Sequence, residues 1–305
     1  MIDIGRKAQN HMGEINYDYM GNKLEIIKYV NKRNVDVKIF NGMIFNVCYE
    51  TFLNGMKKEM QKIYRIGEKN VNTQGCNMTI IDYEGTRHCT IKFEDGTIVK
   101  NIQYDSFLKG GVKNNNFKYI YGIGYFGYGE YTSDDKAYSY WFNMINRCYN
   151  PKYLKTRPTY LQCFVCKEWY NYQTFAEWFY KNYYEIKNEV MCLDKDILIK
   201  GNKMYSPNTC VFVPQLINCI FTKCDKNRGD CYIGISKNSG HYRTYVSQYG
   251  HSKKGMHSHL NEEDAFVEYK NEKEKYIKEV ADKYKNQIPE KLYIALHNYE
   301  VEIND

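Results

Sequence analysis

Residues 1–114 contain one pattern written twice, at an offset of 54 that becomes 55 near its end. Gly13-Glu14-x-Asn16 matches Gly67-Glu68-x-Asn70, and Gly21 matches Gly75. Ile26-Ile27-x-Tyr29 matches Ile80-Ile81-x-Tyr83, and Arg33 matches Arg87. Lys38 with Gly42 matches Lys92 with Gly96, and Tyr49-x-x-Phe52-Leu53-x-Gly55 matches Tyr104-x-x-Phe107-Leu108-x-Gly110. So many coincidences at one spacing define a repeated unit. Its strand-like segments, Ile26-Ile27 and Val37-Lys38-Ile39-Phe40, and the turn pairs Asn41-Gly42 and Asp95-Gly96, make that unit a β module. Alternation in Thr90-Ile-Lys-Phe-Glu gives one buried and one wet face. The expectation is two tandem modules, 1–60 and 61–114, each too short to stand without its neighbour. Lys57, Lys58, Lys62 and Arg65 are expected in a charged linker between them.

The chain of 305 residues has room for two or three domains. Its net charge of +7 leans toward a polyanionic partner, and its 32 tyrosines supply stacking surface beside the lysines. No apolar run reaches membrane-spanning length, so no membrane association is expected. Met1-Ile-Asp-Ile-Gly-Arg has no apolar signal segment, which gives an expectation of a cytoplasmic protein. The eleven cysteines are scattered and odd in number, which suits reduced thiols, with a metal pair among them as an alternative.

Residues 115–136, rich in Asn, Gly and Tyr, read as an irregular linker. Helices are expected over Ala137–Cys148 and Tyr172–Tyr184, each with aromatic residues at a spacing of three to four. Three short strands follow at Tyr232–Ser236, His241–Ser247 and Met256–His259. A helix capped by Asn261 then runs from about Glu262 to Asn286.

The chemistry concentrates in 137–222. Trp141-x-x-Met144-x-x-Arg147-Cys-Tyr-Asn-Pro precedes Cys163-x-Val-Cys166-x-Glu-Trp169. Then come Leu193-Asp194-Lys195-Asp196 and Tyr205-Ser-Pro-Asn208-x-Cys210, with Asn218 beyond Pro214. In order and spacing, these roughly 85 residues resemble HNH-type homing endonucleases of phages and bacteria. The resemblance implies a ββα-metal fold that hydrolyses DNA phosphodiesters with one divalent cation, Mg2+ or Mn2+. It implies Asp194 and Asn218 as metal ligands, Asp196 as a further carboxylate, and Asn208 as the brace of the hairpin. Where that family has a histidine base, this chain has Lys195. Lysine is protonated at neutral pH and is no base, so its expected role is to hold a phosphate. None of the seven histidines lies in 89–240. Cys163 and Cys166 have the spacing of half a structural zinc site, with buried free thiols as the alternative.

Residues 222–259 hold seven Lys/Arg against two Asp. Tyr232-Ile-Gly-Ile, Tyr242-Arg243-x-Tyr245 and Glu263-x-Ala265-Phe266-x-x-Tyr269 resemble the three-strand-plus-helix module of plant ethylene-response factors. The resemblance implies a sheet in the major groove of double-stranded DNA. His241, Arg243, Tyr245 and Ser247 would reach the bases, with Lys237, Lys253 and Lys254 alongside.

The reading is α+β: tandem small β modules, a ββα-metal (HNH-like) domain over 137–222, and a sheet-plus-helix DNA-binding domain with a C-terminal helix over 223–305. Three functions stay open. They are a metal-dependent endonuclease of a phage or mobile element in a bacterial host, a degenerate relative that only binds DNA, and a factor that binds a protein through the N-terminal repeats. A homodimer is among the open oligomeric states.

Overall fold

Both copies of the repeat fold the same way, and the recurring residues are the reason. In the computed structural model, which describes residues 10–222, 230–248, 251–303 and 305, the chain is α+β with several small sheets. It divides into two compact units, Met1–Phe117 and Lys118–Asp305. The first module holds β1 (Ile15–Tyr17), β2 (Lys23–Asn31), β3 (Asn34–Ile39), β4 (Ile44–Val47) and α1 (Tyr49–Leu53). A helix, α2 (Lys57–Arg65), follows. The second module repeats the order with β5 (Lys69–Val71), β6 (Asn77–Tyr83), β7 (Cys89–Phe93), β8 (Ile98–Ile102) and α3 (Tyr104–Leu108). Each sheet is a four-stranded antiparallel meander, β1-β2-β3-β4 and β5-β6-β7-β8.

Asn16 donates its side-chain amide to the carbonyls of Phe52 at 2.7 Å and Leu53 at 3.1 Å, closing α1 onto β1. Asn70 does the same to Phe107 and Leu108, at 2.8 and 3.0 Å. The Tyr49 hydroxyl donates to Glu14 at 2.8 Å and that of Tyr104 to Glu68 at 3.0 Å. Gly55 and Gly110 follow the short helices with φ of +68° and +66°. A Cβ on either would sit 2.9 or 2.8 Å from the carbonyl oxygen of Tyr17 or Val71, so neither position admits a side chain. Each module keeps its own core, Leu24, Ile26, Val35 and Phe52 in one, Ile80, Cys89, Ile91 and Phe107 in the other.

The expected charged linker is a helix. Met60 of α2 is fully buried in the first core, with Ile63 and Tyr64 packed beside it. Lys62 pairs with Asp82 at 3.1 Å, and Arg65 lies 4.4 Å from the ring centre of Tyr104. An apolar stripe of three residues inside a lysine-rich run was too short to read as a helix face.

The second unit gathers its buried residues, from Ile120 to Val301, into one cluster. The segments 137–222 and 223–305 therefore share a core. The glycine-rich stretch after Lys118 is a packed strap and not a free linker. Tyr131 and Gln173 exchange two hydrogen bonds, at 3.0 and 2.9 Å. A Cβ at Gly129 would lie 2.3 Å from Gln173 Oε1, so the strap is glycine-rich because its backbone touches side chains. Next come α4 (Lys136–Tyr149), α5 (Pro151–Thr156), β9 (Phe164–Val165) and α6 (Tyr172–Asn182). Trp141, Phe175 and Phe179, read from spacing, are fully buried where α4 and α6 meet, while Trp178 of the same stripe is half-buried and Tyr172, outside it, is fully buried.

The chain continues through β10 (Met191–Asp194), β11 (Met204–Tyr205), β12 (Val211–Pro214) and α7 (Gln215–Ile220). β10 pairs antiparallel with β12, and β11 pairs parallel with β9. The last part holds β13 (Ile235–Asn238), β14 (His241–Gln248), β15 (His251–His259), α8 (Glu262–Tyr284) and α9 (Glu290–His297). β13-β14-β15 is an antiparallel sheet packed on α8. Asn261 caps α8, its side chain accepting from the Asp264 amide at 2.8 Å. The short helix α9 was not expected. Pro289 opens it, and Leu292 and Leu296 bury it. Among the described residues, no helix is long and apolar enough to cross a membrane.

Candidate functional site

The segment that carried the chemistry is a hairpin with a helix on it. β10 alternates buried and half-buried residues, and β12 is buried throughout. α7 packs against both strands. Asp194 is the last residue of β10, opposite Val211. Its Oδ1 accepts the backbone amides of Asp196 at 2.9 Å and Ile197 at 2.7 Å, which turns the chain out of the strand. Burial, with the neighbouring Asp196 charge adding to it, pushes the Asp194 carboxyl up to about 6.

Lys195 does not face solvent. It is 7% exposed, and its Nζ donates to Asp196 Oδ2 at 3.0 Å, 5.7 Å from the centre of the Tyr205 ring. Burial works against its charge. The Asp196 carboxylate outweighs that and holds the ammonium above its ordinary value, so Lys195 stays protonated. A buried, paired ammonium is not placed to hold a phosphate, and that expected role is corrected. From α4, Arg147 lies against the phenols of Tyr205 and Tyr160.

The brace of the hairpin is also another residue. Asn208 is exposed in a turn, and among the described residues its side chain has no hydrogen-bond partner. Asn202 closes the loop, donating to the carbonyls of Lys195 and Met204, both at 2.7 Å. Thr209 supports it through the Met204 carbonyl at 2.8 Å. Asn202 follows Gly201 in the loop, and spacing offers no means of choosing between two loop asparagines.

Asn218 lies in α7, half-buried, its carbonyl accepting from the Phe221 amide at 3.3 Å. The expected metal ligands are already engaged in part within the protein. One oxygen of Asp194 serves two backbone amides, and Asp196 is engaged by Lys195. Among the described residues, no group of three or more His, Cys, Asp or Glu gathers to hold a metal. Cys163 and Cys166 are free thiols, one buried and one half-buried. Burial raises both, Cys166 to about 11. Their neighbours Cys148 and Cys210 are raised the same way.

No protein-family model, no curated protein and no solved structure matches this chain.

The terminal sheet sorts its own candidates. Along β14, Thr244 and Val246 are buried, while His241, Tyr245 and Ser247 at the alternate positions are exposed and Arg243 is half-buried. Those four residues share the outward face. Lys237 does not. It pairs with Tyr242, one position out of step with Arg243, and its Nζ sits 5.1 Å from the Tyr242 ring centre. A side-chain period of two puts it, still exposed, on the face opposite Arg243. In β15, Lys254 pairs with Tyr245 and Lys253 with Val246, and their side chains lie outside the described set. The basic residues Lys223, Lys226 and Arg228 also lie outside it.

Behind this sheet is a polar cluster that sequence did not reveal. Glu268 of α8 accepts from Thr244 at 2.9 Å, and His259 Nε2 stands 2.8 Å and His257 Nδ1 3.4 Å from its carboxylate. Burial opposes the Glu268 charge, but the hydrogen bonds from His259, Thr244 and His257 hold its pKa below the usual range. The cluster ties β14 and β15 to α8. Its only sequence signal is a glutamate on the buried side of a helix.

Proposed function

We propose that this chain is a double-stranded-DNA-binding protein of phage or mobile-element type, with the ββα hairpin serving as a scaffold and β13–β15 as the contact surface. The observation that carries this reading is the sorting of β14. Arginine, tyrosine and histidine point outward at alternate positions, and the intervening residues bury the sheet against α8. A basic, aromatic sheet face of this kind fits the major groove, where arginine meets guanine edges. The hairpin supports the non-catalytic form of the reading. Lys195 supplies internally the positive charge that a cation would bring to Asp194 and Asp196.

The test is DNA retardation beside plasmid nicking. Arg243→Gln is expected to weaken binding at least several-fold, and plasmid is expected to stay intact in magnesium or manganese. Metal-dependent nicks that vanish in Asn218→Ala would overturn the scaffold reading. Absence of any salt-sensitive DNA affinity, together with capture of a protein partner, would move the function to the N-terminal repeats.

A further inference from the structure

A duplicated module is its own control, because each surface position exists twice. Positions that recur in both copies divide into those with a structural task and those without. Asn16/Asn70, Tyr49/Tyr104, Glu14/Glu68 and Gly55/Gly110 have one, described above. Lys38/Lys92 and Arg33/Arg87 do not. All four are exposed, and among the described residues none makes an ion pair or a side-chain hydrogen bond. Lys38 pairs across strands with Ile44 on one side and Glu25, whose carboxylate its charge stabilises, on the other, while Lys92 pairs with Ile98 and Thr79. Those isoleucines recur too, at 58% and 49% exposure, so no burial explains them.

The outward acids of the same sheets behave differently. Glu25 is replaced by Thr79 and Asp36 by Thr90, each at the offset of 54. The acids that do recur have tasks. Glu14/Glu68 accept from tyrosines, and Glu50/Asp105 stand in the first turns of the short helices. Other cations drift as the acids do, Lys23 to Asn77, Lys28 to Asp82 and Lys32 to Thr86, so Arg33/Arg87 and Lys38/Lys92, with the aliphatic Ile44/Ile98, stand out as the exposed charges that stay.

We propose that the two modules carry matching phosphate contacts, Lys38 and Lys92 beside Ile44 and Ile98, with Arg33 and Arg87 in the turns that precede the same strands, and that these engage the backbone of one DNA duplex in tandem. Two cations that stay in both copies while the charges around them change fit a ligand whose charges also repeat, and a phosphodiester chain is that ligand. This rests on the DNA-binding reading above, but it adds a second contact surface in the other unit.

The experiment uses the full chain and a random-sequence duplex. Affinity is measured against salt for the parent, Lys38→Gln, Lys92→Gln, the double variant and Arg243→Gln. Each lysine that neutralises one phosphate contributes about 0.9 to the slope of log affinity against log salt. Each single variant is therefore expected to flatten the slope by about 0.9 and lower affinity about eight-fold near 0.1 M salt. Equal effects of the two singles, additive in the double, support the proposal, and Lys→Arg at the same positions should restore binding. All these residues are exposed, and circular dichroism checks that the variants fold. If the double variant binds like the parent while Arg243→Gln does not, the module sites are refuted and the sheet reading stands. If the double variant weakens binding and Arg243→Gln does not, the modules are supported and the sheet reading falls. A parent with no salt-sensitive DNA affinity refutes both.

Discussion

Lysine has opposite fates in the two halves of this molecule. In the duplicated unit, Lys38 and Lys92 stand on wet sheet faces, with no ion-pair partner among the described residues. In the ββα region, Lys195 is buried and its ammonium is held by Asp196. A surface lysine is free to serve a ligand and costs little to replace. A buried one belongs to the architecture, because its charge must be compensated where it sits. The position that most suggested chemistry is thus the structural one, and two lysines in unremarkable strands are the ones available for contact.

The sharpest way to break this contrast is to remove the partner of the buried charge. Asp196→Ala leaves the Lys195 ammonium buried and unpaired, and should cost about 3 kcal/mol by urea denaturation. Adding Lys195→Met to that variant should return part of the loss, since the uncompensated charge is gone. Lys38→Met should shift stability by no more than about 0.5 kcal/mol. Equal losses for Asp196→Ala and Lys38→Met would erase the distinction.

The equivalence of the two modules can be tested next. Gly55→Ala and Gly110→Ala both place a Cβ against a carbonyl oxygen at positive φ. Each should cost about 2 kcal/mol. Thermal or urea unfolding should give matched values, and a silent substitution in one copy would mean that the copies are not held alike.

A smaller effect comes from Asn16→Ala and Asn70→Ala. Each removes two hydrogen bonds to the end of a short helix. The expected loss is about 1–2 kcal/mol apiece, because the freed carbonyls near the surface regain water.

The subtlest test is titration of Asp194. Its folded pKa is raised to about 6 by burial and then by Asp196, above the ordinary carboxylate value. Between about 4 and 6 the folded state binds more protons than the unfolded chain, so stability falls as pH rises through that window. Asp194→Asn should flatten this part of the stability curve. An unchanged pH profile in that variant would place the titration elsewhere.

Several features were readable because they follow from local rules. Helix α8 with its Asn261 cap, the aromatic stripes of α4 and α6, and the alternation of β14 depend on neighbours three, four or two residues away. The tandem modules were readable because repetition exposes which residues matter. The other sites were not readable because the fold, not a local rule, chooses their partners. Asn202 acts on the carbonyls of Lys195 and Met204, Glu268 on two histidines of β15, and Gln173 on Tyr131, 42 residues away. None of these pairings has a sequence period.

By itself, then, the sequence determined the duplication, the α+β class and which strand positions could alternate, because each is a property of spacing along the chain. Only the tertiary structure decided that Lys195 is enclosed, that Lys237 faces away from Arg243, that Asn202 and not Asn208 braces the hairpin, and that a glycine-rich stretch is a packed strap. Burial and pairing are set by which distant segments meet, and a charge acquires its role from the dielectric and the partner it finds there.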